Sequence, residues 1–308
     1  METRPVCRLL KSLYGLKQTP RQWNAKLSEA LLKFGFMQSQ HDHSLFIKES
    51  GEHIIIILVY VVDMLITGPT LTLIAEMKTK LQLTFKKKYL GDLKYFLGIE
   101  FARSQRATPI EANIKLTTKE YDEHTSSSNA TDDEVLININ QYQRLQGKQL
   151  YLTITRPDIA YSIHTLSMFM QKPKRLHLEA TQRVVKYVKN QPGQAILLSS
   201  KQRNTITAYC NVDWATCPIT RKSVTSFFIK YGDSLISWKS KKQSTIFRGS
   251  AESEYRSIAS TIAELVILGL FKDIGIEVGL PINIYTDSKA AIQIAANLVF
   301  HNEPNTLK

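Results

Sequence analysis

Only three cysteines occur in 308 residues: Cys7, Cys210 and Cys217. An odd, widely separated set supplies neither a disulfide framework nor a metal-ligand spacing, so reduced thiols in an intracellular setting are expected. Long apolar runs are lacking as well. The run Ile54–Val62 is far too short to span a bilayer. The opening METRPVCRLLKS has no apolar stretch of the kind a secretory leader carries. No membrane partner is expected. Acidic residues form the third shortage. Asp and Glu number 27 against 40 Lys and Arg, a formal net charge of +13 and a pI near 9.5. Such a balance favours polyanionic partners, because Lys and Arg release counterions from a phosphate backbone. Charge alone fits a plain basic surface equally well.

What is present suffices for a large core. Hydrophobic residues make up 43% of the chain and charged residues 22%, and the length suggests about two domains. Residues 21–34, RQWNAKLSEALLKF, carry Trp23, Leu27, Ala30, Leu31 and Phe34 at helical spacing, with Gly35 as a stop. Two β-branched runs, HIIIILVYV and MLITG, flank Asp63 and read as a hairpin with a functional turn. A second amphipathic helix is predicted over 71–85 and a strand over 94–102. The polar stretch TSSSNATDD, 125–133, has no apolar period and reads as a linker or disordered loop.

Pro157 suits the first turn of a helix running through IAYSIHTLSMFM, and HLEATQRVVKYVKN is a further helix closed by Pro192-Gly193. From residue 195 the texture changes. TITAYCNVD, SVTSFFIKYG and DSLISWKS read as strands. AESEYRSIASTIAELVILGLFKD reads as one long helix, INIYTDS as a strand and KAAIQIAAN as a helix. The order βββαβα predicts a mixed sheet with flanking helices, and a boundary is expected near residue 200.

Specific motifs then appear. SLYGLKQTPRQW (12–23), LVYVVD (58–63), LGDLKYFLGIEFARS (90–104), LYLTITRPDIAY (150–161) and SAESEYRSIA (250–259) together resemble the copia-type retrotransposon Pol polyprotein. The resemblance runs from the second half of the reverse transcriptase into the ribonuclease H domain. It implies an α/β fold class: an α+β palm remnant over 1–104, a thumb- or connection-like linker and helical region over 105–200, and a ribonuclease H-like mixed-sheet domain over 201–308. In that family LVYVVD stands where Tyr-Val-Asp-Asp occurs, on a tight turn whose paired aspartates help to hold two Mg²⁺ ions. Val62 replaces the first of the pair and Asp63 keeps the second. Valine has no oxygen to offer, so polymerase activity is not expected. The rest of the polymerase, with its third carboxylate, is expected ahead of Met1. In SLYGLKQTPRQW the resemblance places Gly15, Lys17 and Pro20 near template and nucleotide: close backbone approach, a phosphate contact, and entry to the helix. Taken alone, that segment is a basic turn that caps a helix.

The ribonuclease H resemblance implies four carboxylates around two Mg²⁺ ions. Its first strand should read Tyr-x-Asp-x-Asp-Trp-Ala. Here YCNVDWA puts Asn211 at the expected catalytic position and leaves Asp213 two residues on, on the same strand face. Glu254 matches the helix carboxylate in preference to Glu252, and Asp287 in YTDS matches the fourth-strand carboxylate. The last carboxylate is expected beyond Lys308. An asparagine brings no charge, so Mg²⁺ affinity should be impaired. Taken alone, Glu254 is a surface helix charge and Asp287 a helix N-cap. ARSQRATPIE skips a strand and helix usual in the family, which suggests a deletion. His41 and His43, flanking Asp42, read as a polar turn and not as metal ligands.

Two expectations follow: weak ribonuclease H activity through Asp213, Glu254 and Asp287, or binding of RNA–DNA hybrid and other nucleic acid without catalysis. The second rests on the +13 charge and on the basic runs at 86–88 and 239–242.

Overall fold

The run HIIIILVY folds as a strand because its β-branched residues suit a half-buried pleated surface. Ile55, Ile57 and Val59 face inward in strict alternation. In the computed structural model of the chain, the described residues are 18–51, 53–61, 63–85, 89–91, 93, 95–96, 99–100, 135–201, 203–217 and 219–297. Cys7, Gly15, Lys17, Val62, the run at 86–88 and the linker over 125–133 lie outside them.

The chain divides into two compact units: 1–102 with 266–277, and 103–265 with 278–308. In the first unit, α1 (Thr19–Lys33) has Pro20 in its opening turn. β1 (Met37–Gln38), β2 (Leu45–Ser50), β3 (His53–Tyr60) and β4 (Asp63–Thr67) form an antiparallel sheet in that order. α2 (Leu71–Phe85) follows. Leu27 and Leu31 of α1, Ile55, Ile57 and Val59 of β3, and Met77 and Leu81 of α2 make one core with Phe36 and Phe46. The strand predicted over 94–102 is corrected to two short ones, β5 (Tyr95–Phe96) and β6 (Ile99–Glu100), which pair with each other. An apolar alternation does not distinguish one strand from a tight hairpin.

In the second unit, α3 (Ile139–Leu152) starts at Asn138, whose side chain accepts from the Gln141 amide. A short 3₁₀ turn (Pro157–Ile159) leads into α4 (Ala160–Ser167), and α5 (Arg175–Asn190) ends ahead of Gly193, whose φ is +80°. β7 (Thr205–Asp213), β8 (Val224–Tyr231) and β9 (Ser234–Lys242) form an antiparallel meander. β10 (Gly279–Tyr285) joins β7 in parallel, giving the mixed sheet order β10-β7-β8-β9.

The long helix predicted over 251–273 is two: α6 (Ser250–Glu264) and α7 (Ile267–Asp273). The break falls at Leu265-Val266, ahead of Gly269 and with no glycine or proline at the break itself, and α7 belongs to the first unit. α8 (Lys289–Ala296) closes the described part. The architecture is α/β, and among the described residues no helix is long and apolar enough to cross a membrane.

Candidate functional site

In the first unit, Tyr60 and Asp63 pair across a two-residue reversal between β3 and β4. Asp63 is exposed at the first position of β4, so it carries no burial penalty. Val61 holds φ at +50°, a left-handed conformation that is an outlier for a β-branched residue. Its carbonyl accepts the Trp23 indole N–H at 2.8 Å, and Trp23 in turn packs edge-on against Phe85 at 5.1 Å. α1 thus fixes a strained hairpin tip beside Asp63.

The polar turn expected around His41 and His43 is present. Ser39 Oγ accepts from the amides of His41 and Asp42, and Asp42 Oδ1 accepts from the Ser44 amide and hydroxyl. His41 Nδ1 and the Ser39 hydroxyl both reach Asp273 Oδ2 of α7, at 2.9 and 2.5 Å.

In the second unit, β7 buries Ile206, Ala208, Cys210 and Val212, and α6 packs against this strand. Tyr209, Asn211 and Asp213 alternate onto the opposite, exposed face. α4 covers part of that face: the Lys242 amide donates to His164 Nε2 at 3.0 Å, and Tyr161 meets Asp213. Burial first, then the charge and hydrogen bond of Asp213, push the Tyr161 phenol up.

β7 and β10 run parallel, so their carboxyl ends lie together, the usual place for a site in an open α/β sheet. Asp213 ends β7, and Asp287 follows β10 by two residues. The Ser288 side chain, not Asp287, caps α8 by accepting from the Ala291 amide at 3.2 Å. Asp287 is therefore left exposed and free of the capping role that local sequence suggested. Glu254 of α6 is half-buried. Burial chiefly, and then the charges of Asp287 and Asp213, push its carboxyl above the ordinary range. Its Oε2 is enclosed without a hydrogen-bond partner. Asn211 Oδ1 folds back to accept the Val212 amide at 2.7 Å.

The geometry thus brings Asp213, Glu254 and Asp287 within each other's field and places Asn211 two residues from Asp213. Asp63 belongs to the other unit. Tyr161 is the residue that motif reasoning passed over, although it ends the block LYLTITRPDIAY.

The family profile described as "Reverse transcriptase (RNA-dependent DNA polymerase)" matches residues 1–126. The Retrovirus-related Pol polyproteins from transposons RE1 and RE2 of Arabidopsis thaliana are each 37% identical over 323 residues, covering 96% of this chain and 21% of theirs. The mitochondrial protein AtMg00810 of Arabidopsis thaliana is 32% identical over 225 residues, which cover 68% of this chain and 92% of that protein. The chain belongs to the copia-type retrotransposon Pol family. It spans about a fifth of the length of the RE1 and RE2 polyproteins. No solved structure matches it.

Reverse transcriptases bind nucleic acid and generally use divalent metal ions. The enclosed, unpartnered Glu254 Oε2 is what a cation would satisfy, yet the donor set is too sparse. Among the described residues, no three His, Cys, Asp or Glu side chains are grouped so as to hold a metal ion. Asn211 supplies no charge to close the gap. The residues present therefore do not fit the Mg²⁺ pair that the resemblance implies.

Proposed function

We propose that this chain is a retrotransposon-derived reverse transcriptase and ribonuclease H segment in which both catalytic centres are degenerate and sequence-independent nucleic-acid binding remains. Val62 in place of an aspartate removes one polymerase ligand, and Asp63 alone cannot hold two dications. Asn211 carries the parallel reading for the ribonuclease centre. It stands where a carboxylate is expected, and its one acceptor oxygen is engaged by the Val212 amide. Asp213, Glu254 and Asp287 are the remnant of that centre.

The +13 charge supports the binding that remains, because separate phosphate contacts survive single substitutions better than a metal cluster does. Binding of an RNA–DNA hybrid by the whole chain should weaken steeply with salt. Affinity that stays flat from low to physiological salt would sink the binding claim.

A second reading, weak ribonuclease H activity, is favoured by one observation: the unpartnered Glu254 Oε2 in the field of two further carboxylates. Incubation with Mn²⁺ and a labelled hybrid decides between them. Cleavage no greater than that of Asp287→Ala supports the binding reading, and cleavage clearly above it supports the second.

A further inference from the structure

α4 packs on β9, the edge strand of the second unit's sheet, and a histidine makes the junction. Where β8 and β9 meet, the Gln243 amide donates to the Ser223 carbonyl at 2.8 Å. The next pair, Val224 and Lys242, is therefore a non-hydrogen-bonded one, and the Lys242 amide points off the sheet. His164 Nε2 accepts it at 3.0 Å. A backbone amide can only donate, so this contact needs the neutral imidazole, with its proton on Nδ1. Two further contacts hold the same segment: the Trp238 indole N–H on the Thr153 carbonyl at 2.9 Å, and Tyr161 on Asp213.

The surroundings of His164 oppose a second proton. β9 presents Lys241 and Lys242, and among the described residues these are the charges that act on it. From α3, Tyr142 and Gln146 donate to the carbonyls of Leu166 and Ile163, and burial pushes the Tyr142 phenol up to about 12. α5 sets His177 against Phe169, with ring centroids 3.9 Å apart. Asp158 of the 3₁₀ turn is engaged by Arg156 and Tyr187, and Asp213 by Tyr161. Burial first, then the charges of Lys242 and Lys241, hold the His164 imidazole below its ordinary 6.5. Its place in the last turn of α4 favours the charged form, and that preference is outweighed.

We propose that His164 is a pH-operated latch: a proton on Nε2 breaks the bond to the Lys242 amide, sets a cation beside Lys241 and Lys242, and frees α4 from β9. Release uncovers the edge of β9 and withdraws Tyr161 from Asp213 together. Open edge strands pair with other chains, so the latch also guards the fold. The released imidazole takes its proton near 6.5 and the latched one only at lower pH. The latch is therefore fully closed above 6.5 and weakens as pH falls below it. Each pH unit between the two values shifts the balance by up to about tenfold. The Trp238–Thr153 clamp carries no titrating group and does not respond. The latch asks nothing of nucleic acid or metal, so it stands or falls apart from the reading above.

Amide hydrogen exchange of the whole chain at about pH 7.5 and pH 5.5, corrected for the intrinsic pH dependence of exchange, reads the latch at Lys242 and along α4. Protection there should fall severalfold, up to about tenfold, at the lower pH, while Ile55, Ile57 and Val59 of β3 keep theirs. His164→Gln offers an acceptor that does not titrate, and should make protection at both places independent of pH. Lys241→Gln removes a repelling charge and should shrink the fall. Should His164→Gln fail to fold, ¹⁵N NMR of the unaltered chain decides: protonation of the His164 ring and loss of Lys242 amide protection should share one midpoint below 6.5. The same loss in His164→Gln, no loss across the range, or a ring that titrates while the Lys242 amide stays protected overturns the proposal.

Discussion

The Trp23 indole N–H donates to the carbonyl of Val61, the residue that turns the β3–β4 hairpin at φ +50°. One hydrogen bond from a helix thus holds a β-branched residue in a backbone region that costs roughly 1–2 kcal/mol. Trp23→Phe keeps an aromatic ring against Phe85 and removes the donor. It should cost about 1 kcal/mol in urea unfolding. Val61→Asn should move the other way by a similar amount, since Asn accepts the left-handed region more readily. If the two substitutions shift the midpoint in the same direction, the strain assignment is wrong.

Arg156 and Asp158 form a nearly buried pair. The Arg156 Nε and a terminal nitrogen donate to the two carboxylate oxygens at 2.9 and 2.7 Å, and the Tyr187 hydroxyl donates at 3.1 Å. Burial pushes the Asp158 carboxyl up, but the Arg156 bonds and charge and the Tyr187 bond outweigh it and hold the value below the ordinary 3.8. A depressed acid contributes stability above its unfolded value and loses it as pH falls through the folded one. Asp158→Asn strands the guanidinium and should cost roughly 3–5 kcal/mol at neutral pH. The gap to the unaltered chain should narrow below pH 3.8. Acid titrations followed by far-UV circular dichroism read both effects.

Gly269 of α7 lies against the imidazole of His41, where a Cβ would collide with the ring. By propensity alone, Gly269→Ala in a helix should stabilise by about 0.5–1 kcal/mol. With His41 held on Asp273, the sign should reverse. Adding His41→Ala should restore the propensity gain, so the double variant should be more stable than His41→Ala alone. A double-mutant cycle in urea tests the coupling.

Asn211→Asp should raise Mg²⁺ affinity measured by calorimetric titration. One new oxygen can keep the Val212 amide while the other and the charge become available. Removing Glu254 in the same chain should cancel the gain, because ligands of one site act as a unit. Binding as negligible in Asn211→Asp as in the unaltered chain would place the defect elsewhere than at this residue.

How much of this was legible varied with the kind of residue that carried it. β3 announces itself by its β-branched run and β7 by alternation, and Pro157 marks its helix. α3 does not, because its buried face is Tyr142, Gln146 and Gln149, whose side chains donate to the carbonyls of Leu166, Ile163 and Thr181. A helix that docks by hydrogen bonds leaves no apolar stripe to read. The carboxylates of the remnant centre were legible only through the family motifs. Tyr161 was not, because the packing of α4 on the sheet, and not spacing along the chain, brings its side chain to Asp213.

The Ser288 cap has a consequence for how this protein can change. Because Ser288 takes the helix-capping duty, Asp287 carries no cap and has no ion pair among the described residues, and it is exposed. Replacing it should barely alter folding stability. Selection for a folded chain cannot see such a position, whereas selection for chemistry can. Once the second pressure lapses, drift erases acids of this kind first, while the β-branched strands around them stay as they were.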